Sequence, residues 1–210
     1  MSRELEAARA LVKMLEEREG SLGAVEAEPV TDGYQLSMLV PGEVFKIGEH
    51  DFIVLEQMEE TTAVISKNLL VEDEKFAGDT RDYSKSAIKN MIETTIQPEI
   101  EMAVGADNLV EHTVDLISVD MQNEFGTCIC KVRPITFDEV RKYNDLLVNE
   151  DLPDWYWTCT PWSTKERGWD YSIAVVSPRG FFNYYNFGHR NGVRPFCILK
   201  SNIFVSKVEE

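Results

Sequence analysis

Residues 44–66 read VFKIGEHDFIVLEQMEETTAVIS and contain three apolar runs separated by short polar connections. The runs are rich in β-branched and aromatic residues and follow one another closely, which is typical of consecutive antiparallel strands. Gly48-Glu49-His50-Asp51 has the composition of a hairpin connection between the first two runs. The segment therefore predicts an antiparallel meander near the start of a folded domain.

Helical patterns follow this meander. The apolar spacing over 88–96 fits one face of a helix, and Pro98 predicts the start of a second, short helix that ends near Val104. Thr136-Phe137-Asp138-Glu139 predicts a capping box at the start of a helix through Leu147. Beyond residue 153 strand-like runs alternate with turns. These patterns together predict an α+β fold with short antiparallel strands and two or three helices.

The N-terminal segment has a different pattern. Residues 1–20 predict an amphipathic helix whose apolar stripe is about two heptads long, too short for a stable free coiled coil. The stripe is expected to pack on its own domain or on a neighbouring subunit or virion assembly. Residues 21–35 contain glycine and proline and predict a linker, and the folded domain is expected over 36–207.

Net charge and hydropathy argue against two classes of function, nucleic-acid binding and membrane insertion. The net charge of −16 argues against direct nucleic-acid binding by phosphate neutralisation. No apolar run approaches the ~20 residues that cross a bilayer, and no signal-peptide core is present; we therefore expect no membrane insertion and a location in the host cytoplasm or a virion. Residues 43–75 contain nine acidic residues and three lysines, whereas 160–207 are mainly basic. This polarity is consistent with oriented docking on a partner, or with solubility alone.

Catalytic and metal-binding patterns are weak. The motif Cys128-x-Cys130 has one spacer residue where zinc knuckles use two to four, and in the sequence His50, His112 and His189 lie apart from one another and from the cysteines. We predict buried structural thiols, no metal and no cofactor. The sequence contains no glycine-rich phosphate loop and no motif of nucleophilic catalysis, so a non-enzymatic protein is expected.

The stretch 181–191 reads FFNYYNFGHRN and combines aromatic with amide side chains, as binding surfaces often do. On a strand, Phe182, Tyr184 and Asn186 share one face, and the intervening residues share the other. One face is expected to pack on the core. The stretch either fills an aromatic core together with the tryptophans or binds a ligand through its outward face.

The C-terminal third also carries a resemblance. Residues 155–163, WYWTCTPWS, are followed by the turn Ser177-Pro178-Arg179-Gly180 and the closing Gly192-Val193-Arg194-Pro195. The order resembles an uncharacterised domain family of Gram-positive gut bacteria and their phages, with a W-W-L-R-[ST]-P segment, a glycine turn and a closing G-V-R-P. Thr158-Cys159 stands where Leu-Arg is usual. The ending is also similar to the G-F-R-P of C-type-lectin-like domains, including formylglycine-generating enzymes and the variable proteins of diversity-generating retroelements.

This resemblance implies a C-type-lectin-like fold, in which residues just before the ending face the ligand. It favours an acidic phage or prophage protein: a binding module or virion structural protein that contacts a host protein or glycan through its C-terminal aromatic surface. The alternative is an intracellular, phage-encoded acidic inhibitor of a host defence protein. Structural roles are expected for Trp155, Trp157, Gly192, Arg194 and Pro195. The predicted binding residues are Trp162, Tyr171, Asn183, Tyr184, Tyr185, Asn186, His189 and Arg190.

Overall fold

The computed structural model describes residues 33–208. The predicted helix over 1–20 and most of the predicted linker lie outside these residues. The described chain has an α+β fold in which most strands pair antiparallel and helices are few, so the predicted class is confirmed. Among the described residues, no helix is long and apolar enough to span a membrane.

The predicted meander lies in the middle of a seven-stranded sheet. Phe45 pairs with Phe52, and Ile53 pairs with Ile65, so the apolar side chains of neighbouring strands share a face. The two-residue β1, at the predicted end of the linker, pairs with the last strand. In spatial order the strands are β1 (Tyr34–Gln35), β14 (Phe204–Lys207), β2 (Val44–Ile47), β3 (His50–Gln57), β4 (Thr61–Ser66), β13 (Pro195–Lys200) and β8 (Val132–Pro134).

A second sheet has five strands and carries most of the C-terminal aromatic residues. Its spatial order is β11 (Phe182–Asn186), β10 (Ser172–Val176), β9 (Tyr156–Pro161), β12 (Arg190–Val193) and β5 (Val71–Lys75). Because β12 continues through Arg194 directly into β13, the closing segment connects the two sheets. A separate hairpin is formed by β6 (His112–Ile117) and β7 (Asn123–Cys130).

The helical region differs from the prediction. The predicted short helix is present as α2 (Gln97–Val104), with Pro98 in its first turn. It is not separate, because α1 (Ala87–Met91) continues into it through a π-helical segment (Ile92–Ile96). A proline lacks the backbone N–H and its ring crowds the carbonyl four residues earlier. The wider π turn immediately before Pro98 accommodates both effects, and the helix continues without a break.

The predicted capping box is present at the start of α3 (Phe137–Leu147). Thr136 Oγ1 accepts a hydrogen bond from Glu139 N at 3.2 Å, and Glu139 Oε2 accepts one from Thr136 N at 2.8 Å. The helix buries Val140, Tyr143 and Leu147, as its periodicity predicts. These side chains pack in a core cluster with residues of β3, β4 and β13.

The cysteines lie inside the molecule. All four are free and buried, as predicted. Burial raises the pKa of Cys159 and of Cys197 to about 12, so both remain protonated at neutral pH.

Candidate functional site

The predicted binding stretch lies on β11, which is an edge strand of the five-stranded sheet. None of the residues over 181–190 is fully buried. Phe181, Phe182 and Tyr184 expose 67%, 52% and 39% of their surface. Because only β10 flanks this strand, its two faces are covered less completely than those of a central strand. The expectation that one face packs on the core holds only for the half-buried Tyr185 and Phe187.

One face of β11 carries a cluster of three large rings. The ring centre of Tyr184 lies 5.0 Å from that of Trp162 and 4.8 Å from that of Trp169, and the two indoles are 6.3 Å apart. No acceptor among the described residues bonds the indole N–H of Trp162 or Trp169. We call Trp162, Trp169 and Tyr184 the tryptophan cluster; it combines apolar area with two indole N–H donors that no described residue uses.

Of the remaining predicted aromatic residues, Tyr185 lies on the opposite face of β11 and Tyr171 lies next to the strand. Tyr185 contacts Trp155 edge to face at 5.8 Å and stacks on His189 at 5.3 Å. Tyr171 is 54% exposed and lies 6.3 Å from Phe187. The structure therefore distributes the predicted binding residues over two faces and does not gather them in one pocket.

The predicted polar residues are exposed but already form local bonds. Asn183 Oδ1 accepts a hydrogen bond from Tyr184 N at 2.9 Å, and Asn186 Oδ1 accepts one from Gly188 N at 2.8 Å. Arg190 donates to the carbonyl and to the carboxylate of Asp73, at 2.9 and 3.2 Å. Their side chains hold the strand and its turn in place and remain accessible to solvent.

A polar network that the sequence did not reveal fixes the loop of the tryptophan cluster. Asp120, in the turn between β6 and β7, accepts hydrogen bonds from Ser163 Oγ at 2.7 Å and from Arg167 at 2.5 Å. Burial opposes ionisation of Asp120, but bonds from Ser118, Ser163 and Arg167 outweigh it and lower its pKa to about 2. The carboxylate therefore stays charged and holds the loop at neutral pH.

A second anchor of the same loop is buried. Arg81 is 3% exposed; its Nη1 donates to the carbonyl of Ser163, and its Nη2 donates to both carboxylate oxygens of Glu124, at 2.8 and 2.9 Å. An open groove of about 750 Å³ lies between residues 122–124 and 164–167. Arg81 and Asp120 are more than forty positions from Ser163 along the chain, so no local pattern could have linked them.

The closing segment is buried from Gly192 to Pro195. Arg194 is fully buried; Nε donates to Ser66 O at 2.8 Å and Nη1 donates to Leu147 O at 2.7 Å. Gly192 N donates to Trp155 O at 2.8 Å, and Pro195 pairs with Pro134 across β13 and β8. These bonds hold both sheets and the end of α3 together.

Trp157 belongs to the core. It is fully buried, its indole N–H donates to Glu74 O at 2.8 Å, and its ring contacts Phe76 edge to face at 5.7 Å. The half-buried Trp155 packs at the margin of the same core cluster.

The sequence interpretation that no histidine lies near a cysteine is wrong for His112. Strand pairing places His112 opposite Cys130, with Nε2 3.9 Å from the sulfur, a long-range contact that sequence spacing does not show. Arg133 Nε donates to the same His112 nitrogen at 3.0 Å, and Arg133 forms a bidentate pair with Glu139 at 2.6 and 2.7 Å. Burial raises the pKa of Cys130 to about 12. This geometry favours a neutral thiol and a neutral imidazole that accepts from arginine.

Metal ligands are dispersed among the described residues, where no group of three or more histidine, cysteine or acidic side chains could hold an ion. Comparison of the chain with protein-family models and with curated proteins, and of its structure with solved structures, found no match.

Proposed function

We propose that this protein is a non-enzymatic binding module that contacts a host protein or glycan through the aromatic surface around β11. The observation that carries this proposal is the tryptophan cluster: three large rings meet at an edge strand, and both indole N–H groups lack an acceptor among the described residues. Exposed aromatic rings provide a large contact area at low entropy cost, and free donors provide specificity.

The surroundings of the cluster support a binding role. Phe182, on the same face of β11 as Tyr184, exposes 52% of its surface, and Phe181 and Tyr171 expose 67% and 54% on or near the other face. Exposed aromatic residues are typical of interaction sites. The loop that carries Trp162 and Trp169 is fixed by Asp120 and Arg81. Such anchoring lowers the entropy cost of binding, because the rings are already held in position.

The thiol chemistry supports a non-enzymatic function. Burial keeps Cys130, Cys159 and Cys197 protonated, with pKa values of about 12, whereas nucleophilic catalysis needs the thiolate. His112, the histidine nearest to a thiol, uses its Nε2 to accept a bond from Arg133. We further propose a phage or prophage origin, display on a virion or protein assembly, and a C-type-lectin-like fold. The exposed position of 181–190 just before the closing segment supports the last of these.

The alternative function, an acidic inhibitor of a host defence protein, has less support from the charge arrangement. Four acidic residues of 43–75 form ion pairs with basic residues: Glu43 with Lys207, Asp51 with Lys46, Glu56 with Lys142 and Asp73 with Arg190. These pairs reduce the negative charge that the segment presents to a basic partner.

Alanine variants of the two neighbouring tyrosines test the proposal. Tyr184→Ala should lose capture of host-lysate proteins and of arrayed glycans while keeping most of its stability, because Tyr184 is 39% exposed. Tyr185→Ala should lower the unfolding free energy more, by about 1–3 kcal/mol, because Tyr185 packs on the core. Phe204→Ala, at a 65% exposed ring on another sheet, is the control. Retention of every partner by Tyr184→Ala would contradict the proposal.

A further inference from the structure

The edge strands of the two large sheets differ in how they are protected. An exposed edge offers unpaired N–H and C=O groups, and proteins usually protect it with charges, proline or a short length. The strand β5, opposite β11 in the same sheet, has charged residues at each position over 72–75. In the seven-stranded sheet, β1 has two residues and β8 has three, ending in Pro134.

The strand β11 has none of these protections. It reads FNYYN over Phe182–Asn186, contains neither a charged residue nor proline, and pairs with β10 in continuous register without a bulge. Four of its five residues are exposed. Among the edges of the two large sheets it is therefore the one best suited to receive a further strand.

Hydrogen bonds at both ends of β11 show which of its backbone groups point away from β10. Ser177 N donates to Phe181 O at 2.7 Å, and Phe187 N donates to Tyr171 O at 2.8 Å. Because such bonds alternate along an antiparallel strand, the backbone groups of Phe182, Tyr184 and Asn186 point away from the sheet. These outward residues are spaced symmetrically about Tyr184.

We propose that a second copy of this chain pairs with β11 edge to edge, antiparallel, about a twofold axis at Tyr184. This register places Phe182 opposite Asn186 of the second copy. Asn186 N can donate to the facing Phe182 carbonyl, whereas Asn186 O already accepts a bond from its own His189 N at 2.8 Å and would use its second lone pair for the facing Phe182 N. In the single chain, Tyr184 N donates to Asn183 Oδ1. In the central pair, it donates instead to the carbonyl of Tyr184 in the second copy. The two five-stranded sheets then become one continuous sheet.

Local charges do not oppose contact between the β11 edges of two identical chains. Residues 181–188 contain no charged side chain. The flanking Arg179 and Arg190 each lie near an acidic residue of their own chain, Glu150 at 3.6 Å and Asp73 at 3.2 Å. Electrostatic repulsion between the two copies opposes dimerisation over a longer range, because each copy has a net charge of −16. Added salt screens this repulsion and should strengthen the dimer.

Pairing at β11 has a consequence for binding. Residues directly opposite in an antiparallel pair lie on the same face of the sheet, so the tryptophan clusters of two copies become neighbours. A ligand with repeated epitopes would then be held at two sites, and its apparent affinity would exceed that of one site. The inference itself concerns assembly and is independent of what the surface binds.

The first test is the solution mass of the full chain by light scattering. The expected mass is twice the 24.0 kDa of one chain, and the dimer fraction should rise in about 0.5 M NaCl, where the Debye length is only a few ångström. Tyr184→Lys places two like charges directly opposite each other and should return the mass to 24.0 kDa. Tyr184→Phe keeps the ring and should remain dimeric.

A cross-linking experiment tests the register. The four native cysteines are buried, so a short bismaleimide should link Tyr184→Cys chains and should not link Phe204→Cys chains, whose new thiol lies at an exposed site on β14. A wild-type mass of 24.0 kDa at every concentration would overturn the proposal, as would a dimer that Tyr184→Lys leaves intact. The mass measurement contains no binding partner, so its result does not decide the proposed binding function.

Discussion

At the residue scale, Arg194 is a guanidinium whose surroundings contain no acidic partner in the described part of the chain. It is fully buried and forms no ion pair among the described residues. Its Nη1 bonds to the carbonyl of Leu147, the last residue of α3, where the helix dipole places a partial negative charge. The guanidinium also lies 5.3 Å from the ring centre of Tyr156. The helix end and the ring therefore offset part of the burial cost of the charge, while Nη2 is buried without a hydrogen-bond partner among the described residues.

Protonation of His112 is expected to make the stability of the protein depend on pH. Burial, and then the positive charge of Arg133, lower the pKa of His112 below its usual 6.5. The groups that face it are Arg133, the Glu139 paired with that arginine, and the neutral Cys130. A proton on Nε2 would replace the bond from Arg133 with repulsion between two cations. The folded protein therefore resists protonation of His112.

We expect His112 to reduce stability as the pH falls. Below about pH 6.5 the unfolded chain takes up a proton at this histidine while the folded chain does not, and the loss stops once the pH is below the folded pKa. His112→Gln keeps an acceptor for Arg133 and cannot titrate. Urea unfolding between about pH 7.5 and 5 should show the wild type losing stability relative to this variant. A constant difference across that range would contradict the assignment.

At the element scale, local signals predict some elements and fail at others. The meander and α3 follow from β-branched runs and from the Thr136 capping box, which act over a few residues. The pairing of His112 with Cys130 and the edge position of β11 depend on long-range contacts that no local period encodes. The sequence pattern predicts a separate helix at Pro98. The helix instead continues through this residue, because the π-helical segment relieves the usual clash between a proline ring and the preceding turn.

The loop of the tryptophan cluster gives an element-scale prediction. Asp120→Ala removes the acceptor of Ser163 Oγ and of Arg167, so the loop over 162–169 should open more often while the sheets remain folded. Hydrogen–deuterium exchange should increase in peptides that cover 162–169, including the bond from Trp169 N to Thr164 O, and should stay unchanged in β13. Equal protection of the loop in both proteins would show that Arg81 alone holds it.

At the scale of the whole molecule, the closing segment determines how the two sheets are joined. Gly192 forms a parallel bridge with Tyr156 in one sheet, and three residues later the chain enters the other sheet at Pro195. The sequence resemblance marked these residues as structural, but only the fold shows why a glycine stands there. A Cβ at Gly192 would lie 2.3 Å from Leu69 Cδ1, far inside van der Waals contact.

The final prediction follows from this close approach. Gly192→Ala forces Leu69 or the β12 backbone to move, and overpacking of this kind costs about 1–3 kcal/mol of unfolding free energy. Leu69→Ala alone should also destabilise, because Leu69 packs against a core cluster. The double variant should lose less than the sum of the two single losses, since the removed leucine leaves space for the new methyl group. Urea unfolding of the four proteins measures this coupling, and strict additivity would mean that the cost at Gly192 comes from the backbone and not from the collision.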